Sequence, residues 1–323
     1  MYKTMLACIV CVLVSAMSAL LGLPGLSAAP ALAAGPSTYE DNVVAWKPYG
    51  PVNGLEYKMA LDPALFAADR PAASFTALWD ALAASAAKNG FLLAKSEKIK
   101  VRLRTRSYFD TDGLALRDAG FVIRTTANHN KDGSAKEDIK LTVKTSGKAP
   151  AFILGTSLDT VGIRGEVSAE DNPYMDAQGN MASRLEKSVN IRGDAKTFGA
   201  LDRPRLRQFS RFVPALARSG LAADTKLTPV SVCTYSAMMG SVKLAGVAAE
   251  ITLEAWTDSW GGAPLALELS FRIGNQDYYA IPEVVASGNE FYRKVVVQGL
   301  DHMKLPDGDR FSGSKLKMLR DRQ

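Results

Sequence analysis

Charged residues share strand faces in five stretches of this chain: Glu56 with Lys58, Arg102 with Arg104 and Arg106, Lys140 with Lys144, Arg164 with Glu166, and Glu250 with Glu254. Residues two or four apart in a strand point the same way, so each stretch carries a charged face. A solvated sheet explains any one of them. Five together suit a closed sheet lined with Lys, Arg and Glu, where cations would grip a polyanion and carboxylates would hold a divalent cation against it. Other chemistries lack their residues. Two histidines cannot build a His-rich metal centre, and His129 in a polar turn and His302 beside Asp301 read as solvated loop residues. There is no Gly-x-Ser-x-Gly elbow, glycine-rich phosphate loop or dinucleotide fingerprint. Trp79, Trp256 and Trp260 read as packing residues and not as a base-stacking platform.

The elements that must position these charges can be read from periodicity. Val52 to Leu61 alternates Leu55, Tyr57 and Met59 with Gly54, Glu56 and Lys58, the pattern of a strand with one charged face. Ser74 to Asn89 predicts an amphipathic helix with Phe75, Leu78, Trp79, Leu82 and Ala86 on one face, Ser74 as N-cap and Gly90 as the stop. Strands are expected over Glu97 to Tyr108, Phe121 to Thr126, Asp138 to Thr145 and Ile163 to Ser168. Residues 170–200 are polar, with Pro173, Gly179 and Gly193, and read as a connecting segment. Arg203 to Ser219 predicts a helix, and hairpin-like stretches follow over Val230 to Lys243 and Ala248 to Ile273. Glu290 to Leu300 predicts a last helix and Gly313 to Leu319 a terminal strand. Strands outnumber helices, so the expected class is α+β with antiparallel sheet dominant.

The whole chain has 323 residues, 47% of them apolar, with 39 Lys+Arg against 33 Asp+Glu and three cysteines. That is enough apolar sequence for one large domain or two small ones. Lys3, the apolar run Met5 to Leu23 and the Ala31-Leu32-Ala33 exit make residues 1–33 a secretory signal peptide, followed by an extended leader over 34–50. Cleavage would remove Cys8 and Cys11, leaving Cys233 as a single buried thiol with no internal disulfide partner. The expected location is therefore exported, periplasmic or secreted, with no membrane span after the signal. The mildly basic charge gives no specific nucleic-acid footprint.

The run Ser107-Tyr108-Phe109-Asp110-Thr111-Asp112-Gly113-Leu114-Ala115-Leu116-Arg117-Asp118-Ala119-Gly120 is followed by Val122-Ile123-Arg124 and then Leu141-Thr142-Val143-Lys144. With the opening Leu55-Glu56-Tyr57-Lys58, this order and spacing resembles the CYTH family, also called triphosphate tunnel metalloenzymes. The resemblance covers residues 50–170 best. It implies a closed antiparallel eight-stranded β-barrel, a tunnel with flanking helices, formed by residues 51–323 as one domain. It implies that Lys58, Arg124, Lys144, Arg164 and Lys315 contact a triphosphate, short polyphosphate or phosphorylated small molecule. It also implies that Glu56, Glu166 and Glu268 hold Mg²⁺ or Mn²⁺, with Lys58 and Glu166 the catalytic pair of a metal-dependent triphosphate phosphohydrolase.

The departures from that pattern bear on catalysis. Gly54 stands where the family's first motif glutamate belongs, and Thr126 replaces a second tunnel arginine. Ser231, Cys233 and Tyr235 occupy the alternate positions of a later strand that should carry arginine. Glu268 is flanked by Ala266 and Ser270 where further glutamates are expected. Losing carboxylates removes most of a divalent site's charge. The alternative is therefore a noncatalytic envelope protein that binds an anion beside a degenerate metal site.

Overall fold

The computed structural model describes residues 52–176, 178–274, 281–306 and 319. The signal peptide, the extended leader, Lys315 and all of the expected terminal strand except Leu319 lie outside the described residues. Ten strands occur in chain order: β1 (Gly54–Leu61), β2 (Leu93–Lys95), β3 (Arg102–Asp110), β4 (Phe121–His129), β5 (Ala135–Ser146), β6 (Gly165–Met175), β7 (Met181–Gly193), β8 (Thr228–Leu244), β9 (Val247–Thr257) and β10 (Pro264–Gly274). They pair in the order β2-β8-β3-β4-β5-β7-β6-β1-β10-β9, and a further β8–β9 pairing closes the sheet. The result is a closed barrel of nine strands with β2 as a short outer addition. It corrects the expected eight-stranded, wholly antiparallel barrel in two ways. There is one strand more, and β1 runs parallel to β6 through Gly54↔Glu170 and Leu55↔Asp171.

The extra strand comes from the stretch expected to be a connector. Residues 165–193 form the β6–β7 hairpin, paired continuously from Gly165↔Ile191 to Met175↔Met181. Its outward positions include Asp171, Pro173, Ser183 and Lys187, so apolar alternation is too weak to announce strands. Lys187 explains itself: its Nζ donates to the carbonyls of Leu154 (2.8 Å) and Thr156 (3.0 Å), at the end of the short helix Pro150–Gly155.

Alternation elsewhere decides which face is which. Leu55, Tyr57, Met59 and Leu61 of β1 are fully buried outside the barrel. They pack in one cluster with helix α1 (Pro71–Lys88), helix α2 (Pro282–Glu290) and the wide π-type turns of Phe291–Gln298. Tyr57 stacks on Phe271 of β10 at 4.5 Å between ring centres. Phe75, Leu78, Trp79, Leu82 and Ala86 form the buried face of α1, as the spacing predicts. The helix starts earlier than expected, because Pro71 supplies a preset φ at its first position. Ser74 is thus inside the helix, where its Oγ accepts from Ala67 N instead of capping.

A second cluster covers the outer faces of β3, β4, β5 and β7. Its lid is the 195–227 segment, where the expected Arg203–Ser219 helix is broken by Pro214 into a turn over Arg207–Ser210 and a 3₁₀ helix over Pro214–Ser219. Leu206, Phe209, Val213 and Leu216 are buried there nonetheless. The expected Glu290–Leu300 helix is likewise the junction of α2 with the π-type turns. Cys233 is buried on the outer side of β8. Among the described residues, no helix is long and apolar enough to cross a membrane.

Candidate functional site: a cationic wall inside the barrel

Cross-strand register lines the interior up in rows. One row runs Val232, Arg106, Thr126, Lys140 and Arg192 across β8, β3, β4, β5 and β7. The next runs Val230, Tyr108, Arg124, Thr142, Asn190 and Glu166, ending on β6. Adjacent strands lie about 4.8 Å apart, so Lys140 flanks Thr126 and is diagonal to Arg124. Arg104 lies one step along β3 from Arg106, where it donates to Ser236 Oγ (3.1 Å) and Asn128 Oδ1 (3.3 Å).

One end of this interior is apolar. Tyr108, Val230, Val232, Trp256 and Leu319 are all buried together there, joined by Val122 and Ala266. The other end is polar and open to water: Arg102, Arg164 and Glu166 are exposed, and the Arg192 side chain is 72% exposed in its pair with Asp138.

Most interior charges are already neutralised. Lys58 pairs with Glu56 at 2.6 Å and also donates to Asn172 Oδ1 at 2.7 Å. Lys144 pairs with Glu186 at 2.9 Å, Arg272 with Glu170 at 2.7 Å, and Arg106 makes a two-pronged pair with Glu254. Burial opposes the charged forms of Glu56, Lys58, Arg106 and Glu186, yet their partners outweigh it. Glu56, Glu186 and Glu268 hold the Lys58 ammonium above its ordinary range, while Lys144, Lys58 and Arg184 hold the Glu186 carboxyl well below its own.

The wall formed by β3, β4 and β5 behaves differently. Among the described residues, no ion pair joins Arg104, Arg124 or Lys140 to a carboxylate. Burial lowers Lys140 first, and the neighbouring charges of Arg124, Arg106, Arg104 and Arg192 lower it further, to about 8. Arg104 is lowered in the same way by burial and then by Arg106, Arg102 and Arg124, against the opposing pull of Glu254. Three of the six buried polar side-chain atoms without a hydrogen-bond partner among the described residues lie on this wall, Arg106 Nε, Arg124 Nε and Thr126 Oγ1, and the others are Arg184 Nε, Thr257 Oγ1 and Arg272 Nε. Such atoms are costly to leave without a partner. Uncompensated cations and idle donors on one wall have the chemistry to hold an anion.

Among the described residues the carboxylates do not assemble a divalent-cation site. No three His, Cys, Asp or Glu side chains gather in a metal-holding group among the described residues. The space that a side chain at position 54 would enter is occupied: a Cβ on Gly54 would meet Arg272 Nη2 at 3.1 Å and Glu170 Cγ at 3.4 Å. A guanidinium therefore stands where the resemblance puts a metal ligand. Of the expected ligands, Glu56 is tied to Lys58, and Glu166 is exposed at the open rim with Arg164. Glu268 is half-buried and lies opposite Glu254 in the register. As arranged, these donors do not fit Mg²⁺ or Mn²⁺.

The expected residues are thus divided. Glu56, Lys58, Arg124, Lys144 and Glu268 face the interior, Arg164 and Glu166 sit at its rim, and Lys315 is outside the described residues. The inward positions of β8 are Val232, Thr234 and Ser236, because Cys233 and Tyr235 point outward. Glu170 and Glu186 were hidden in the supposed connector. Arg104, Arg106 and Lys140 were visible as charges at strand spacing, although the family motif does not select them.

Fold and site together define a class: a closed β-barrel with a charged interior and one uncompensated cationic wall. No family model and no curated protein matches the sequence. Solved structures do align with it. A proposed adenylyl cyclase from Hippeastrum, described as having a dominant triphosphatase activity, shares 13% identity at a TM-score of 0.40, with 84% of this chain and 97% of that one covered. A proposed adenylate cyclase from Bacillus halodurans shares 11% identity at a TM-score of 0.38, covering 82% and 96%. The PH1819 protein from Pyrococcus horikoshii shares 15% identity at a TM-score of 0.36, covering 84% and 99%.

Proposed function

We propose that the barrel binds a small polyanion, a triphosphate or other phosphorylated compound, against the wall of Arg104, Arg106, Arg124, Thr126 and Lys140. The observation that carries this reading is the coincidence of unpaired cations with the stranded donors Arg124 Nε and Thr126 Oγ1. Four cations face two carboxylates there, Glu254 and, acting on Arg106, Glu268, so a multiply charged anion would relieve the remaining repulsion and satisfy the idle donors. The sequence resemblance to triphosphate-binding barrels supports the same ligand class. The reading is one of binding: of the carboxylates that phosphoryl transfer would need, Glu56 is tied to Lys58 and Glu166 lies exposed at the rim.

Thermal unfolding with tripolyphosphate, with and without Mg²⁺ or Mn²⁺, tests it, alongside phosphate release. Binding alone predicts a dose-dependent rise in Tm that needs no metal. Metal-dependent phosphate release would replace this reading with the phosphohydrolase one. No shift and no release would sink both. Export belongs to the same proposal through residues 1–33, and N-terminal sequencing of the mature protein checks it. A mature chain beginning at Met1 would contradict export by cleavage.

A further inference from the structure

Lys140 combines three properties that do not meet at the other interior lysines. Lys58 and Lys144 are each locked to a glutamate, whereas Lys140 has no carboxylate partner among the described residues. The side chains around it are cationic or neutral on every packed strand: Arg104 and Arg106 on β3, Arg124 and Thr126 on β4, and Arg192 on β7. Of the carboxylates on the surrounding strands, Asp138 on its own strand is engaged by Arg192 at 3.2 Å, Glu254 on β9 is engaged by Arg106, and Glu166 on β6 is exposed at the rim. Lys140 is also only half-buried, beside the open mouth that Arg192 marks. An amine crowded by cations spends more of its time neutral, and a neutral amine is a nucleophile.

We propose that Lys140 is a covalent capture site for phosphate-bearing aldehydes, with the phosphate held by Arg104 and Arg124 while the amine attacks the carbonyl. The inference rests on the anion-binding reading for its phosphate half. The neutral Nζ lone pair forms the C–N bond, and the carbonyl π electrons move to oxygen, which takes a proton. The carbinolamine then loses water to give an imine. No electrons are gained or lost from outside. The arginines align the aldehyde carbon with the amine, which raises the effective concentration of the reactants.

Pyridoxal 5′-phosphate is the probe, with unphosphorylated pyridoxal as its control. The full chain is treated at pH 8, reduced with borohydride, and mapped by peptide mass spectrometry. Lys140 should be labelled at least tenfold faster than the exposed strand lysines Lys136 and Lys243. Tripolyphosphate should protect it, and pyridoxal should react much more slowly. Arg124→Ala, checked for folding by circular dichroism, should slow the labelling, and Lys140→Arg should abolish it at this site. Labelling of Lys140 no faster than of Lys136, or equal rates with the two aldehydes, overturns the proposal. Calorimetry with tripolyphosphate separates the failures. Intact anion binding without Lys140 labelling sinks this inference alone, and absent anion binding sinks the functional reading as well.

Discussion

Lys58 and Arg124 face the same interior with opposite electrostatic standing. Lys58 is neutralised by Glu56, so its removal leaves a buried carboxylate without its paired cation, with only Lys144 and Arg272 further off. Lys58→Ala should therefore destabilise the fold by about 3–5 kcal/mol, and Glu56→Gln with Lys58→Met should recover most of that loss in urea unfolding. A double variant as unstable as the single one would contradict the pairing. Lys140 sets a pH dependence. Its folded-state pKa of about 8 lies below the ordinary lysine value of 10.5, so it is fully cationic only on the acid side of 8. A bound polyanion favours the protonated amine, so affinity should fall as pH rises through 8, by up to about tenfold per unit. Comparing wild type with Lys140→Arg cancels the ligand's own ionisation. Identical pH profiles for the two proteins would remove Lys140 from the site.

Among the elements, the β6–β7 hairpin is where sequence and structure part most. β1, β3, β4 and β5 announce themselves by clean alternation, and α1 by the spacing of Phe75, Leu78, Trp79, Leu82 and Ala86. The β6–β7 hairpin places Asp171, Ser183 and Lys187 on its outer face, where each meets a specific polar partner that no local pattern reveals. In β8 every position from Val232 to Ala237 is buried, so burial gives no parity, and the inward set emerges only from pairing with β3. The motif locates Arg124 and Lys144 but cannot show which cations are paired, since Glu170 and Glu186 arrive from distant sequence. Asp171 yields a test of the hairpin itself. Its carboxyl is buried against α2 and pushed up to about 6 by that burial, against the opposing bonds from Ser183 and the Asn172 backbone. The folded state thus keeps a proton that the unfolded chain, near 3.8, gives up. This contribution to stability is complete below about pH 4 and is lost as pH rises through 6. Asp171→Asn should raise unfolding stability at pH 8 by about 1–3 kcal/mol, while having little effect near pH 4. A loss at both pH values would show that the ionised carboxylate is needed.

At the scale of the whole molecule, two apolar clusters clamp the barrel from outside, and a third fills one end inside. Tyr108, Val230, Val232 and Trp256 are buried together at that end, so on the anion-binding reading a ligand would enter at the exposed end marked by Arg102, Arg164 and Arg192. With entry confined to that end, the barrel would admit the end of a chain and not its middle. Affinity should rise from phosphate through pyrophosphate to tripolyphosphate and then level off for longer polyphosphates when expressed per chain end. Affinity that keeps climbing with length would indicate binding along the exterior instead. The central claim is that the interior wall is an anion site made by its unpaired cations. Calorimetric titration of tripolyphosphate into wild type and Arg124→Ala at pH 7 and fixed salt tests it most directly. The account predicts binding to one site per chain in the wild type, and about tenfold or more weaker binding in Arg124→Ala, for the loss of one charge-assisted contact worth about 1.5–3 kcal/mol. Equal affinities in the two proteins, or no binding by the wild type, would contradict it.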